Sequence, residues 1–178
     1  GSDVVAVGAG SAGVFADKNV GTGKTVTVSG ISISGTDAPN YTYNTSTTTT
    51  ANISAIELTV SGITASNKPY DGGTSATLDT SSAALVGVIS PDVVSLDVSA
   101  AVGTFDSKNV GLAKTVSVSG LTIGGADAGN YYLTQPSTLA DISAIELTVS
   151  GITASNKPYD NTTAATLNTG SAALVGVL

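Results

Sequence analysis

The chain has 178 residues, of which 41% are apolar but only 4% aromatic and 11% charged, with a net charge of −7. His, Cys, Met and Trp are absent, and all six cations are lysines, which excludes imidazole acid–base chemistry, thiol nucleophiles, disulfides and Cys/His zinc sites. There is no basic stripe to displace phosphate counterions or meet an anionic bilayer, and no apolar run of membrane-spanning length. The composition therefore predicts no enzyme, no cofactor or metal, no nucleic-acid partner and no membrane insertion of this segment.

In chain order, Gly8-Ala9-Gly10-Ser11-Ala12-Gly13 resembles a dinucleotide fingerprint on paper. It lacks the helix that should follow, and its counterpart Val98–Gly103 lacks such glycines, so nucleotide binding is not expected. From Glu57 to Ser61, Leu58 and Val60 face one way while Glu57, Thr59 and Ser61 face the other. The same two-residue period runs through Val94–Val98 and Thr115–Ser119. Shorter strands are predicted near Ala76–Leu78, Leu85–Ile89, Tyr131–Thr134 and Leu139–Ile142. Turn chemistry separates them at Asp71-Gly72-Gly73, Ser90-Pro91-Asp92, Asn109-Val110-Gly111 and Gly124-Gly125. Ser81–Leu85 and Ser171–Leu174 are read as single helical turns at most.

The segment Ile53–Asp71 recurs letter for letter as Ile142–Asp160. A spacing of about 90 residues is that of a small domain, not of a helical solenoid unit. The rest of the chain follows the same duplication. Asp3-Val4-Val5 matches Asp92-Val93-Val94, Lys18-Asn19-Val20-Gly21 matches Lys108-Asn109-Val110-Gly111, and Lys24-Thr25-Val26 matches Lys114-Thr115-Val116. Asp37, Asn40 and Tyr41 match Asp127, Asn130 and Tyr131.

Short alternating strands at this density predict an all-β fold of tandem antiparallel Ig-like β-sandwich repeats. A β-grasp-like fold or an elongated β-rod is the alternative. Asp127-Ala128-Gly129-Asn130-Tyr131 has the form of a tyrosine corner, whose hydroxyl bonds back to an upstream backbone group; Asp37-Ala38-Pro39-Asn40-Tyr41 is the other copy. The favoured phase places the C-terminal half of a repeat at 1–52, a complete repeat at 53–141 and an N-terminal half at 142–178, with Asp141–Ala144 as a short junction. The other phase has two complete units, 3–90 and 91–178. In the first phase the half-repeats leave strand edges and apolar faces open, and the C-terminal half of one chain is expected to complete the N-terminal half of the next.

The phrases Asn67-Lys68-Pro69-Tyr70-Asp71-Gly72, Phe15-Ala16-Asp17-Lys18-Asn19-Val20-Gly21 and Gly125–Tyr131 together resemble the YDG repeats of bacterial surface proteins. They are also similar to the "mostly bacterial Ig-like" modules of filamentous-haemagglutinin-like adhesins. The resemblance implies an extracellular, cell-surface stalk module whose partners are neighbouring repeats, with the host or matrix receptor unspecified. An adhesive module that itself binds glycan, protein or its own kind is the competing expectation. The second copy departs from the pattern, with Asn161 replacing Gly72; Asn also tolerates positive φ.

The remaining candidates are structural. Lys68-Pro69-Tyr70-Asp71 and Lys157-Pro158-Tyr159-Asp160 are expected to form turns in which the tyrosine packs its ring and the aspartate caps amides. Asp92, Asp97, Asp127 and Asp141 are too scattered for a calcium loop and are assigned to caps and turns. Glu57 and Glu146, the only glutamates, are expected to face solvent beside a lysine of an adjacent strand rather than to promote an isopeptide bond.

Overall fold

The computed structural model describes all 178 residues, and the protein is all-β. Helical geometry is limited to two single 3-10 turns, Ala38–Asn40 and Ala128–Asn130, so no helix is long and apolar enough to cross a membrane. Contacts divide the chain into two compact units, and both draw on the central part of the sequence. The first comprises Gly1–Thr59, Leu85–Asp97 and Thr122–Thr134; the second comprises Val60–Ala84, Val98–Leu121 and Gln135–Leu178. Strands Ile56–Ser61 and Ala84–Val86 run through the division.

In the first unit, Gly21–Ser29 lies between Ala12–Phe15 and Ser46–Ile53 in an antiparallel three-stranded sheet. The Thr-rich run Thr47–Thr50 pairs across Thr25–Val28, where β-branched side chains suit a pleated surface. Ser95–Asp97 pairs antiparallel with Thr122–Gly124, and its sequence counterpart Ala6–Val7 pairs with Ile33–Ser34. Tyr131–Leu133 lies parallel to Ile56–Leu58, and Leu58 is completely buried. The Ser90–Pro91 peptide is cis.

The second unit holds the larger core. Its sheet runs in the order Lys68–Pro69, Ser137–Ser143, Gly111–Ser119, Val102–Phe105 and Ser75–Ala76. Alternation along Val102–Phe105 and Lys114–Ser119 sends Phe105, Val116 and Val118 inward. Phe105, Val116, Ala140 and Ile142 form the buried cluster, and Ala65, Tyr70, Ala76 and Leu78 pack against it. Gly103 lies close under Leu78: an added Cβ would sit 2.7 Å from Leu78 Cδ2 and would displace that side chain. A bulge interrupts the register between Gly111 and Lys114, and Ala113 takes a left-handed φ of 48° there.

Most ladders are antiparallel as expected, but two are parallel: Tyr131–Leu133 on Ile56–Leu58, and Ile142–Ser143 on Lys68–Pro69. Several local expectations need correction. Ser81–Leu85 and Ser171–Leu174 do not form helical turns; each has a tight turn leading into a strand, Ala84–Val86 and Ala173–Val175. The strand expected over Ala76–Leu78 is split into Ser75–Ala76 and Leu78–Asp79, which join different partners. Asp141–Ser143 ends a seven-residue strand, and Ile142 within it is buried in the core.

Candidate functional site

The first unit contains a joint between the two sequence copies. Asp92 and Asp127, from the second copy, each accept a bond from within that copy. The Val93 N–H donates to Asp127 Oδ2 at 2.9 Å, and the Tyr131 hydroxyl donates to Asp92 Oδ2 at 2.8 Å. The same hydroxyl accepts the Ile89 N–H at 3.2 Å, so this tyrosine ties a late strand to upstream backbone. Tyr131 is 7% exposed. Burial pushes its hydroxyl pKa above the usual phenol value.

The first copy supplies the cation. Lys18 Nζ lies 2.7 Å from Asp92 Oδ1 and 3.0 Å from Asp127 Oδ1. The backbone follows it: Val20 N–H donates to Asn130 Oδ1 at 2.9 Å, and Asn130 Nδ2 donates to Asn19 Oδ1 at 3.4 Å. Asp92 and then Asp127 hold Lys18 well above the ordinary lysine range. The Val93 N–H and then Lys18 hold Asp127 below the ordinary carboxylate value. The carboxylates are only 13% and 19% exposed, but the lysine side chain is 66% exposed. Solvent therefore screens the pair, and its main effect is to fix register. Beside it, Val20, Ile53, Ile56, Ile89 and Tyr131 border a small cavity of about 220 Å³.

The first copy builds the same acceptor without a cation. Val4 N–H donates to Asp37 Oδ2 at 2.8 Å, and the Tyr41 hydroxyl donates to Asp3 Oδ2 at 2.6 Å. Neither Asp3 nor Asp37 has a salt bridge. The bond to Asp3 raises the Tyr41 hydroxyl pKa. Asn40 ends the same kind of 3-10 turn as Asn130.

The YDG turns form separate local sites. Lys68 Nζ contacts Asp71 Oδ1 at 2.8 Å and the Gly73 carbonyl at 3.0 Å, and Asp71 Oδ1 accepts the Gly73 N–H at 2.9 Å. Lys68 also lies 5.5 Å from the centre of the Phe105 ring. Tyr70 packs its ring on the core. Lys157 and Asp160 repeat the turn, with Lys157 Nζ bonding Asp160 Oδ1 at 2.8 Å and the Thr162 carbonyl at 2.9 Å. Gly72 has φ of 78° and Asn161 has φ of 59°, so asparagine occupies the left-handed position that glycine holds in the first turn. Tyr159, however, is 91% exposed.

One expected placement is corrected. Glu57 does not pair with a lysine; its Oε1 accepts from the Thr134 hydroxyl at 2.5 Å, while Lys68 is engaged by Asp71. Ala12–Phe15, after the Gly-rich run, is a strand, in keeping with the reading that no phosphate-binding helix follows those glycines. Asp141 caps Ala113 N–H at 2.7 Å, and no group of three or more acidic side chains gathers in ligand geometry. Lys18 was not among the expected site residues, and Asp92 was assigned only to a cap or turn. The signal for them was present: Lys-Asn-Val-Gly and Asp-Val-Val each occur once per copy.

These features define an all-β protein of duplicated sequence whose polar site is a clamp between copies. The chain belongs to the YDG domain family, whose sequence model matches residues 1–51 and 54–138. No curated protein and no solved structure matches it.

Proposed function

We propose that this chain is a structural stalk repeat of a large secreted or cell-surface bacterial adhesin. The supporting observation is the clamp of Lys18 on Asp92 and Asp127, which ties one copy's loop to the next copy's turn. A joint made of a bridging lysine, a backbone bond to Asn130 and a short parallel ladder resists bending more than a free linker does. Ser, Thr and Gly cover much of the surface and keep it soluble with little charge. Adhesion, surface location and the wider bacterial context rest on the family resemblance.

Small-angle scattering on arrays of two, four and six repeats tests this reading. The maximum dimension should rise in proportion to repeat number, and Lys18→Glu with its equivalents should make the arrays flexible. Arrays that stay compact, or that are unchanged by the charge reversal, overturn it. Specific glycan capture by a single repeat would favour the adhesive reading instead.

A further inference from the structure

We propose that two copies of this chain dock head to tail, with Lys108 of one copy clamping Asp3 and Asp37 of the other. The inference rests on the joint reading above and names the joint's second occurrence. Five of the six lysines are in salt bridges. Lys108 is the exception: it is exposed and has no hydrogen bond or ion pair. Yet Lys108-Asn109-Val110-Gly111 repeats Lys18-Asn19-Val20-Gly21, whose lysine bridges two carboxylates. The carboxylates that match Asp92 and Asp127 are Asp3 and Asp37. Both are held by the same local bonds as their counterparts, and both lack a cation. Donor and acceptor are thus each present and each unfilled.

The apolar surfaces agree. A groove of about 400 Å³ is bordered by Val110, Ile145, Leu147, Val177 and Leu178. In the duplicated register these residues match Val20, Ile56, Leu58, Val88 and Ile89. Leu58 is wholly buried beneath the parallel Tyr131–Leu133 strand, whereas Leu147 is 45% exposed and Ile145–Leu147 has no strand beside it. The segment of a second copy equivalent to Tyr131–Leu133 is Tyr41–Tyr43. It is exposed and unpaired, and Tyr41 is 48% exposed. Docking lays Tyr41–Tyr43 along Ile145–Leu147 and places Asn40 Oδ1 to accept the Val110 N–H. The charges match as well, a lone lysine meeting two carboxylates.

The test uses two variants, each disabled at one end. Lys108→Glu with Leu147→Asp disables the C-terminal surface, and Asp3→Lys with Tyr41→Ala disables the N-terminal one. All four positions are exposed, and circular dichroism checks that each variant keeps its fold. In sedimentation equilibrium the unaltered chain should gain mass with concentration. Each variant alone should associate about a hundredfold more weakly, and an equimolar mixture should form a dimer and nothing larger. An unaltered chain that remains a monomer at every concentration overturns the proposal. So do variants that self-associate as the unaltered chain does. These outcomes are separate from the array experiment, where failure of Lys18→Glu to loosen covalent repeats removes the joint reading itself.

Discussion

Lys18 Nζ and Asp92 Oδ1, 74 positions apart in sequence, lie 2.7 Å from one another. The lysine belongs to the first sequence copy and the aspartate to the second, and both lie in the first compact unit, so this contact ties segments of the two copies together within it. Replacing Lys18 by Glu puts like charges beside Asp92 and Asp127 and should release the Lys18–Gly21 loop. Hydrogen exchange at the Val20 amide, which donates to Asn130, should then accelerate sharply, while amides of the Phe105 core strands stay protected. Unchanged protection at Val20 would show that the loop is held by something else.

The joint also predicts a pH window. Asp127 has a folded pKa below its ordinary 3.8, so its contribution is complete above that value and is lost as pH falls through the lowered one. Asp17, Asp71 and Asp106 shift the same way, each chiefly through its lysine partner, Lys24, Lys68 and Lys114. Lys18 shifts upward, so its contribution is complete below the ordinary 10.5 and is lost as pH rises through the raised value. Thermal melts should be flat at neutral pH and fall below about pH 4 and again in strong alkali. Added salt should shrink the difference, because one partner of each pair is solvated: Lys18 in the joint, and Asp17, Asp71 and Asp106 in the others.

The duplication provides matched controls for core energetics. Leu58 is buried and Leu147, in an identical local sequence, is 45% exposed. Leu58→Ala should cost about 2–5 kcal/mol, with Leu147→Ala costing at most about 1 kcal/mol. Ile142→Ala should likewise exceed Ile53→Ala, since Ile142 is only 1% exposed and sits in the larger core. Urea unfolding read by exchange at each site checks both orders; equal losses would mean that burial does not set the cost.

Ala113 carries a left-handed backbone at the strand bulge, where the first copy has Gly23 at φ of 61°. A Cβ is disfavoured in that region, so Ala113→Gly should stabilise by about 0.5–1 kcal/mol and Gly23→Ala should destabilise by a similar amount. The bulge bond from Ala113 N–H to Asp141 should persist. Chemical denaturation of the two variants decides it, and opposite signs are required.

Tyr131 and Tyr41 make another pair. Tyr131→Phe leaves the part-buried Ile89 N–H without its acceptor and Asp92 Oδ2 without its hydroxyl donor, so the melting midpoint should drop by a few degrees. Tyr41→Phe removes only an exposed bond to Asp3 and should leave the midpoint nearly unchanged. Equal effects would remove the distinction between the filled and unfilled acceptors.

The sequence by itself determined the strands, the turns and the duplication. Alternation from Glu57 to Ser61 sets which side chains share a face, and Asp71 caps Gly73 through a contact two residues away. Asn161 takes the position of Gly72 because both residue types accept positive φ. All of these depend on spacings of a few residues, which a chain carries locally. Tertiary structure decided the partners. Nothing local in Tyr131-Tyr132-Leu133 specifies a parallel ladder on Ile56–Leu58, or a lysine from another copy on Asp92 and Asp127. Identical letters show the division most clearly: Tyr70 packs on the core while Tyr159, in the same phrase, is 91% exposed. Burial depends on which strands come to lie against a face, and that is fixed by long-range pairing rather than by the residues of the face itself.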